Sequence, residues 1–178
     1  TLAFIPIGVV GFLFAKQIKT LFSVEVVSVM FIIGGIVFLI VEKFYKEKEH
    51  VISDIEQVSY KQAFYIGLAQ ICALIPGTSR AGSTIIGAML VGLNRRASAE
   101  FSFLLALPVM CATTGYDLVK HYKDFTDTNL VVLGIGFVTS FIVAYITIKL
   151  FLKFLEKFTF VFFGFYRIFL GLILLIFI

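Results

Sequence analysis

The chain carries little charge. Asp, Glu, Lys and Arg make up 15% of its 178 residues, against about 25% in an average soluble domain. It has only two cysteines, Cys72 and Cys111, both inside apolar stretches, and two histidines, His50 and His121, in separate polar loops. That count and spacing match neither a metal cluster nor a disulfide framework. No initiator methionine and no signal peptide with a basic start opens the chain. Thr1 already stands in an apolar run, so the sequence reads as a fragment without its N-terminus.

What replaces the missing charge is apolar side chain. Hydrophobic residues make up 60% of the chain, phenylalanine alone occurs 22 times, and the mean hydropathy is +1.05. A water-soluble globule of this size would have to expose much of that surface. A soluble enzyme, a disordered chain and a nucleic-acid module are thereby excluded, and an all-α integral membrane protein remains. The net charge of +4 comes from 15 basic against 11 acidic residues. The basic residues cluster at the ends of apolar runs, where membrane topology explains them and no nucleic-acid partner is needed.

A helix crosses a bilayer in about 20 apolar residues. Leu2–Phe14 reads as a span cut at its start, and Val24–Val41 as a full span with Gly34 and Gly35 at its centre. Residues 42–61 carry charges of both signs and read as a solvated loop or surface helix. Three further spans are expected at Ala97–Val119, Leu130–Leu152 and Phe158–Ile178. Residues 63–93 are too long for one span and too short for two. Their middle, Pro76-Gly77-Thr78-Ser79-Arg80-Ala81-Gly82-Ser83-Thr84, breaks a helix. Irregular backbone at membrane depth is tolerated only inside protein or beside water. The segment therefore reads as a re-entrant hairpin of two half-helices, Ala63–Ile75 and Thr84–Leu93, within one polytopic helical bundle.

With the hairpin returning to its own side, the loops at 42–61, 94–96 and 153–157 share a face. That face holds nine basic residues, Lys149 included, against four on the other (Lys16, Lys19, Lys120 and Lys123). The positive-inside rule makes the first face cytoplasmic. A weak repeat is also visible. Leu2–Val41 and Leu130–Ile178 each contain an apolar run ending in a lysine (Lys19, Lys149), a Phe-bearing turn and a second run with a central glycine (Gly35, Gly171). The two pairs run in opposite directions, as in an inverted repeat. Chance similarity among Phe/Ile/Val runs is the alternative.

Pro76–Thr84 carries the chemistry. Thr78, Ser79, Ser83 and Thr84 bring hydroxyls around Arg80, and Gly77 and Gly82 let backbone approach a ligand. A half-helix starting at Thr84 aims free N–H groups into the turn, an arrangement that binds anions and above all phosphate. Arg80 adds a planar fork that matches phosphate oxygens. An arginine at the bilayer centre costs at least about 2.5–3.5 kcal/mol without a partner or water, which a phosphate would offset. The alternative is an arginine fixed by helix-end carbonyls. The G-x-x-x-x-G-K-[ST] order of a Walker loop is absent. A second intramembrane charge, Arg167, either lines the same cavity or pairs with Glu100, which itself could be a cap charge at the start of its span. His121 reads as a solvated loop residue; Cys72, Met89 and Met110 read as packing.

Gln70–Ile85 resembles the PG-x-SRSG-x-T segment of undecaprenyl-diphosphate phosphatases, the bacitracin-resistance proteins of bacterial inner membranes. Glu100–Pro108 and Tyr166-Arg167 match the same pattern. Two features depart from it. Ala81 stands where the pattern has serine, with a hydroxyl instead at Ser83, and the family's [EQ]-x-x-x-E motif is not found. The resemblance implies removal of the terminal phosphate from undecaprenyl diphosphate, which recycles the carrier for peptidoglycan synthesis. It also implies an inverted repeat with two hairpins, an active site open to the periplasm and a divalent cation, Mg2+ or Ca2+. Ser79 and Arg80 map onto its catalytic serine and arginine, with Gly77, Thr78, Ser83, Thr84 and Arg167 expected at the phosphates. Metal ligands, catalytic acids and a histidine are expected N-terminal to Thr1, so this chain alone is expected to be an incomplete enzyme. The nucleophile stays open among serine, histidine and metal-bound water. The expected partners are a polyprenyl diphosphate lipid, the bilayer and a second copy in a homodimer. The rival class is a transporter that moves a polyprenyl-phosphate lipid without hydrolysis, since broken helices in inverted repeats also build transporters.

Overall fold

In hydrocarbon the backbone must bond to itself, so apolar runs become helices. The structure is a computed structural model describing residues 2–45, 51–122, 130–155 and 158–177. Among these, a 3-10 turn at Leu2–Phe4 leads into α1 (Ile5–Leu13) and α2 (Ala15–Thr20), followed by α3 (Val24–Phe44), α4 (Tyr60–Gln70) and α5 (Arg80–Leu90). Then come α6 (Arg95–Lys120), α7 (Leu130–Leu155) and α8 (Val161–Ile176). Helices α3 and α6, and α7 from Val131, are each long and apolar enough to cross a membrane. Many large apolar residues of α7 stay exposed, including Phe137, Phe141 and Tyr145, as a lipid-facing helix requires, while its last turn, at Phe151 to Leu155, packs into the core. The protein is an all-α integral membrane protein.

Most of α6 and α7 lies where the sequence predicts. Residues 42–61 do not. Glu42, Lys43 and Phe44 continue α3, and Tyr60 and Lys61 already belong to α4. Residues 46–50, inside the expected loop, lie outside the described residues, as do 156–157. The run Leu2–Phe14 breaks at Phe14 and continues as α2.

Residues 60–93 hold two short helices about a turn, with α4 ending at Gln70 and α5 running from Arg80 to Leu90, where the sequence reading has half-helices at Ala63–Ile75 and Thr84–Leu93. Helices α4 and α5 are 11 residues each, or roughly 16 Å of rise. They touch where Gly87 meets the Ala69 Cβ. A capping box of Ser59 and Gln62 starts α4, and Gln62 Nε2 donates to the Val91 carbonyl at the end of α5 (2.9 Å). Hydrogen bonds link Ile52 to Gly92 and Asn94 (3.0 and 2.9 Å), and Tyr45 Oη donates to the Leu93 carbonyl (2.8 Å). Both ends of the hairpin thus meet at the C-terminal end of α3.

The same end holds an ion pair that composition hides. Arg95 Nη2 lies 2.6 Å from Glu42 Oε2, and Glu42 Oε1 also accepts from the Phe160 N–H (2.9 Å). Glu42 is buried, not solvated. One carboxylate therefore ties the end of α3 to the starts of α6 and α8. The core divides into two clusters, one around Ile66, Ala88 and Leu93 beneath the hairpin, the other around Phe38, Ile85 and Phe160. Met89 is buried as expected, whereas Met110 and Cys72 are exposed.

Candidate active site

The turn between α4 and α5 carries two left-handed residues, Gly77 (φ 90°) and Ser79 (φ 78°). Gly77 is required twice over. Its backbone conformation favours glycine, and an added Cβ would lie 2.6 Å from the Val27 carbonyl oxygen of α3. Ser79 has a Cβ and is strained there by about 1–3 kcal/mol, a cost that concentrates at functional sites. It caps α5: its Oγ accepts from the Gly82 N–H (3.1 Å), and its carbonyl accepts from Ser83 N (3.0 Å). The helix therefore starts at Arg80 and not at Thr84. A helix leaves its first four N–H groups without intrahelical partners. With Gly82 and Ser83 turned to Ser79, those of Arg80 and Ala81 remain at the mouth of the dipole.

Arg80 opens α5, and Arg167 reaches the turn from α8. Arg80 Nη1 is buried with no partner among the described residues. Arg167 is buried; its Nη2 donates to the Gly77 carbonyl (2.7 Å) and the Met30 carbonyl (3.2 Å), and its Cζ sits 5.0 Å from the Phe31 ring centroid. It lies against the α3 backbone because Gly34 has no side chain; an added Cβ there would be 3.0 Å from Cζ. Glu100 does not pair with Arg167. It accepts from Arg96 Nε one helical turn away (3.0 Å).

Gly77, Ser79 and Arg167 line one cavity of about 490 Å3, shared with Phe31, Tyr166 and deeper phenylalanines. Thr78 and Ser83 line a second cavity, about 320 Å3, and the Thr78 hydroxyl is buried and unpartnered. Thr84 is drawn away from both. It is fully buried, bonds to the Arg80 and Ala81 carbonyls (3.1 and 3.0 Å), and shares a 2.6 Å hydrogen bond with Ser102 of α6. The predicted residues therefore divide into a cavity face, a second face and a buried strut. Gln70, which ends α4, is fully buried with both amide atoms unpartnered. It went unrecognised beforehand because a glutamine within an apolar run has no distinctive pattern.

Gly77 packs beside Val27 and Met30, in the first two turns of α3. From there to Glu42 the helix rises about 22 Å. The turn therefore lies near the end of α3 opposite the hairpin's base. Among the described residues no group of three or more His, Cys, Asp or Glu could hold a metal. Two guanidiniums and a set of hydroxyls do not fit a divalent cation, and Glu42 and Glu100 are held by Arg95 and Arg96.

A strained, capped helix start beside a cavity lined by Arg167 and phenylalanines places a positively charged, apolar-walled pocket in a polytopic membrane protein. The model of the family described as "Bacitracin resistance protein BacA" matches residues 1–173, and the chain belongs to that family. It is 69% identical over 177 residues to the "Undecaprenyl-diphosphatase" of Sulfurimonas denitrificans, covering 99% of this chain and 69% of that protein. It is 64% identical to "Undecaprenyl-diphosphatase 2" of Pseudoalteromonas translucida (98% and 68% covered). It is 55% identical to the "Undecaprenyl-diphosphatase" of Methanococcus aeolicus (99% and 69% covered).

Proposed function

We propose that the protein dephosphorylates undecaprenyl diphosphate, a polyprenyl diphosphate, to the monophosphate, recycling the lipid carrier of cell-wall synthesis and so giving bacitracin resistance. Overall, water is added across the anhydride: the terminal phosphorus gains the water oxygen, its bond to the bridging oxygen breaks with the electron pair leaving on the lipid monophosphate, and the water's protons end on the released phosphate and the solvent. The observation that carries this reading is Ser79, held at a positive φ so that it caps α5 beside the unpartnered Arg80 Nη1. Arg80 and the N–H groups of Arg80 and Ala81 bind the terminal phosphate, and charge growing on it strengthens those contacts. Ser79 Oγ accepts from Gly82 and keeps its own proton to donate to a phosphate oxygen. Arg167 holds the Gly77 carbonyl and faces the same cavity. Ser83 and Thr78 support the turn from its other side. The divalent cation implied by the resemblance, Mg2+ or Ca2+, finds no ligand set among the described residues.

The enzyme works in the bacterial inner membrane as a multi-pass protein, with the turn opening to the periplasm. The excess of basic residues at the hairpin's base supports this orientation, because it makes the opposite end extracytoplasmic. Movement of lipid without hydrolysis is not favoured, since the relatives' names state a diphosphatase. The test is phosphate release from undecaprenyl diphosphate by the purified intact protein. Lipid movement between leaflets with no phosphate release would overturn it.

A further inference from the structure

We infer that the prenyl tail of the substrate lies in an aromatic groove that leaves the turn along α8, with Phe151 and Phe163 selecting it. The inference rests on the phosphatase reading and adds the tail site to it. The 490 Å3 cavity has Gly77, Ser79 and Arg167 among its lining, together with Phe38, Phe151, Phe160 and Phe163. A further cavity of about 390 Å3 shares Phe151 and Phe163 and adds Phe154 and Phe158. The two cavities therefore adjoin at those two rings. From Arg167 to Phe160 the groove follows α8 for roughly 10 Å of helix rise, away from the hairpin tip and towards Glu42, which holds the Phe160 N–H. A lipid with its diphosphate at the tip has its tail on this path.

The bilayer is as apolar as the groove, so the hydrophobic effect gives the tail no reason to prefer it. Selection must come from packing and ring electrostatics. Phe151 and Phe163 meet edge to face with centroids 5.7 Å apart, as do Phe154 and Phe163 at 6.1 Å. Such an array presents negative faces and positive edges. A polyprenyl chain has a double bond in every unit to set against them; a saturated acyl chain has none. The tail is also the one apolar group tethered to the anion at the turn, which decides for it over bilayer lipid.

The test compares two substrates on the same preparation of intact protein: undecaprenyl diphosphate, and dimethylallyl diphosphate, which has a single prenyl unit. If the parent does not turn over the latter, geranyl diphosphate takes its place. The double variant Phe151→Ala/Phe163→Ala is expected to lower the ratio of kcat/KM, long tail over short, about tenfold. Because the quantity is a ratio, loss of folded protein cancels. Phe151→Leu/Phe163→Leu keeps apolar volume and serves where the alanine pair fails to fold; its expected fall is about threefold. A ratio within twofold of the parent's for whichever pair folds would overturn the tail site and leave the groove to bilayer lipid. A parent that releases phosphate from none of these diphosphates would instead overturn the phosphatase reading beneath it.

Discussion

Gly35 of α3 and Gly171 of α8 make the same contact in reverse. An added Cβ on Gly35 would lie 2.6 Å from the Gly164 carbonyl oxygen and 2.7 Å from Ile168 Cγ1; on Gly171 it would lie 2.7 Å from the Ser28 carbonyl oxygen and 2.7 Å from Ile32 Cγ1. Gly164 and Ile168 precede Gly171 by the spacing at which Ser28 and Ile32 precede Gly35. Helices α3 and α8 therefore cross about a local two-fold axis, which is what the repeat Leu2–Val41 and Leu130–Ile178 predicts for these two helices. Gly35→Ala and Gly171→Ala should each force the backbones apart and cost about 1–3 kcal/mol by overpacking. Similar falls in the melting temperature of the detergent-solubilised protein are expected. A large fall for one and none for the other would break the two-fold reading.

The hairpin predicts labelling. Gln62 bonds to Val91, and Ile52 to Gly92 and Asn94, so single cysteines at Val58 and Asn94 should react with an impermeant reagent from the same side of the membrane. Cys72 and Cys111 are both exposed and must first be replaced by serine. Reaction from opposite sides would remove the re-entrant topology and the charge count built on it.

Thr84 separates binding from bracing. Its hydroxyl meets Ser102 at 2.6 Å with no exposure. Thr84→Val should leave the Ser102 hydroxyl without that partner and destabilise the fold by about 1–3 kcal/mol, while turnover per folded molecule stays within about threefold, under ~0.7 kcal/mol of barrier. A hundredfold loss of turnover at normal stability would return Thr84 to the phosphates.

How much of this could be read beforehand depends on how local each signal is. The spans follow from apolar length, and the hairpin from Pro76-Gly77 in the middle of an apolar run. The start of α5 was misplaced by four residues because a non-glycine residue at positive φ is a tertiary feature; Ser79 adopts it where Gly77 is pressed against Val27. Glu42 looked solvated because it ends an apolar run, and its partner Arg95 is far along the chain. For Arg167 the sequence leaves two readings, a place on the cavity or a pair with Glu100, and the structure gives the first. Arg167 Nη2 donates to two carbonyls beside a gap at Gly34, its Nε is buried with no partner among the described residues, and composition reports none of this.

Arg167 and Gly34 form one device. Arg167→Lys removes a fork that spans the Gly77 and Met30 carbonyls, and losing one charge-assisted hydrogen bond costs about 1.5–3 kcal/mol. Turnover should fall roughly tenfold to a hundredfold with folded yield near the parent's. Gly34→Ala, which pushes the guanidinium off α3, should mimic it. Loss of folded protein with unchanged turnover per molecule in both variants would make the pair purely structural.

Arg80 carries the strongest prediction. Its Nη1 is buried without a partner, beside the N-terminus of α5 and the strained Ser79. An unpaired buried guanidinium destabilises a fold, so Arg80→Ala should leave the yield of folded protein equal or higher. If Arg80 binds charge that grows on the terminal phosphate, the same variant should lose about 10²–10³-fold in rate, as oxyanion contacts do. Arg80→Lys should recover only part of it, because a point ammonium cannot span two oxygens as the planar fork does. The measurement is phosphate release from a polyprenyl diphosphate, with Mg2+ or Ca2+ supplied to parent and variants alike. An alanine variant within about threefold of the parent, a gap under ~0.7 kcal/mol, would make Arg80 a structural residue and move the site elsewhere.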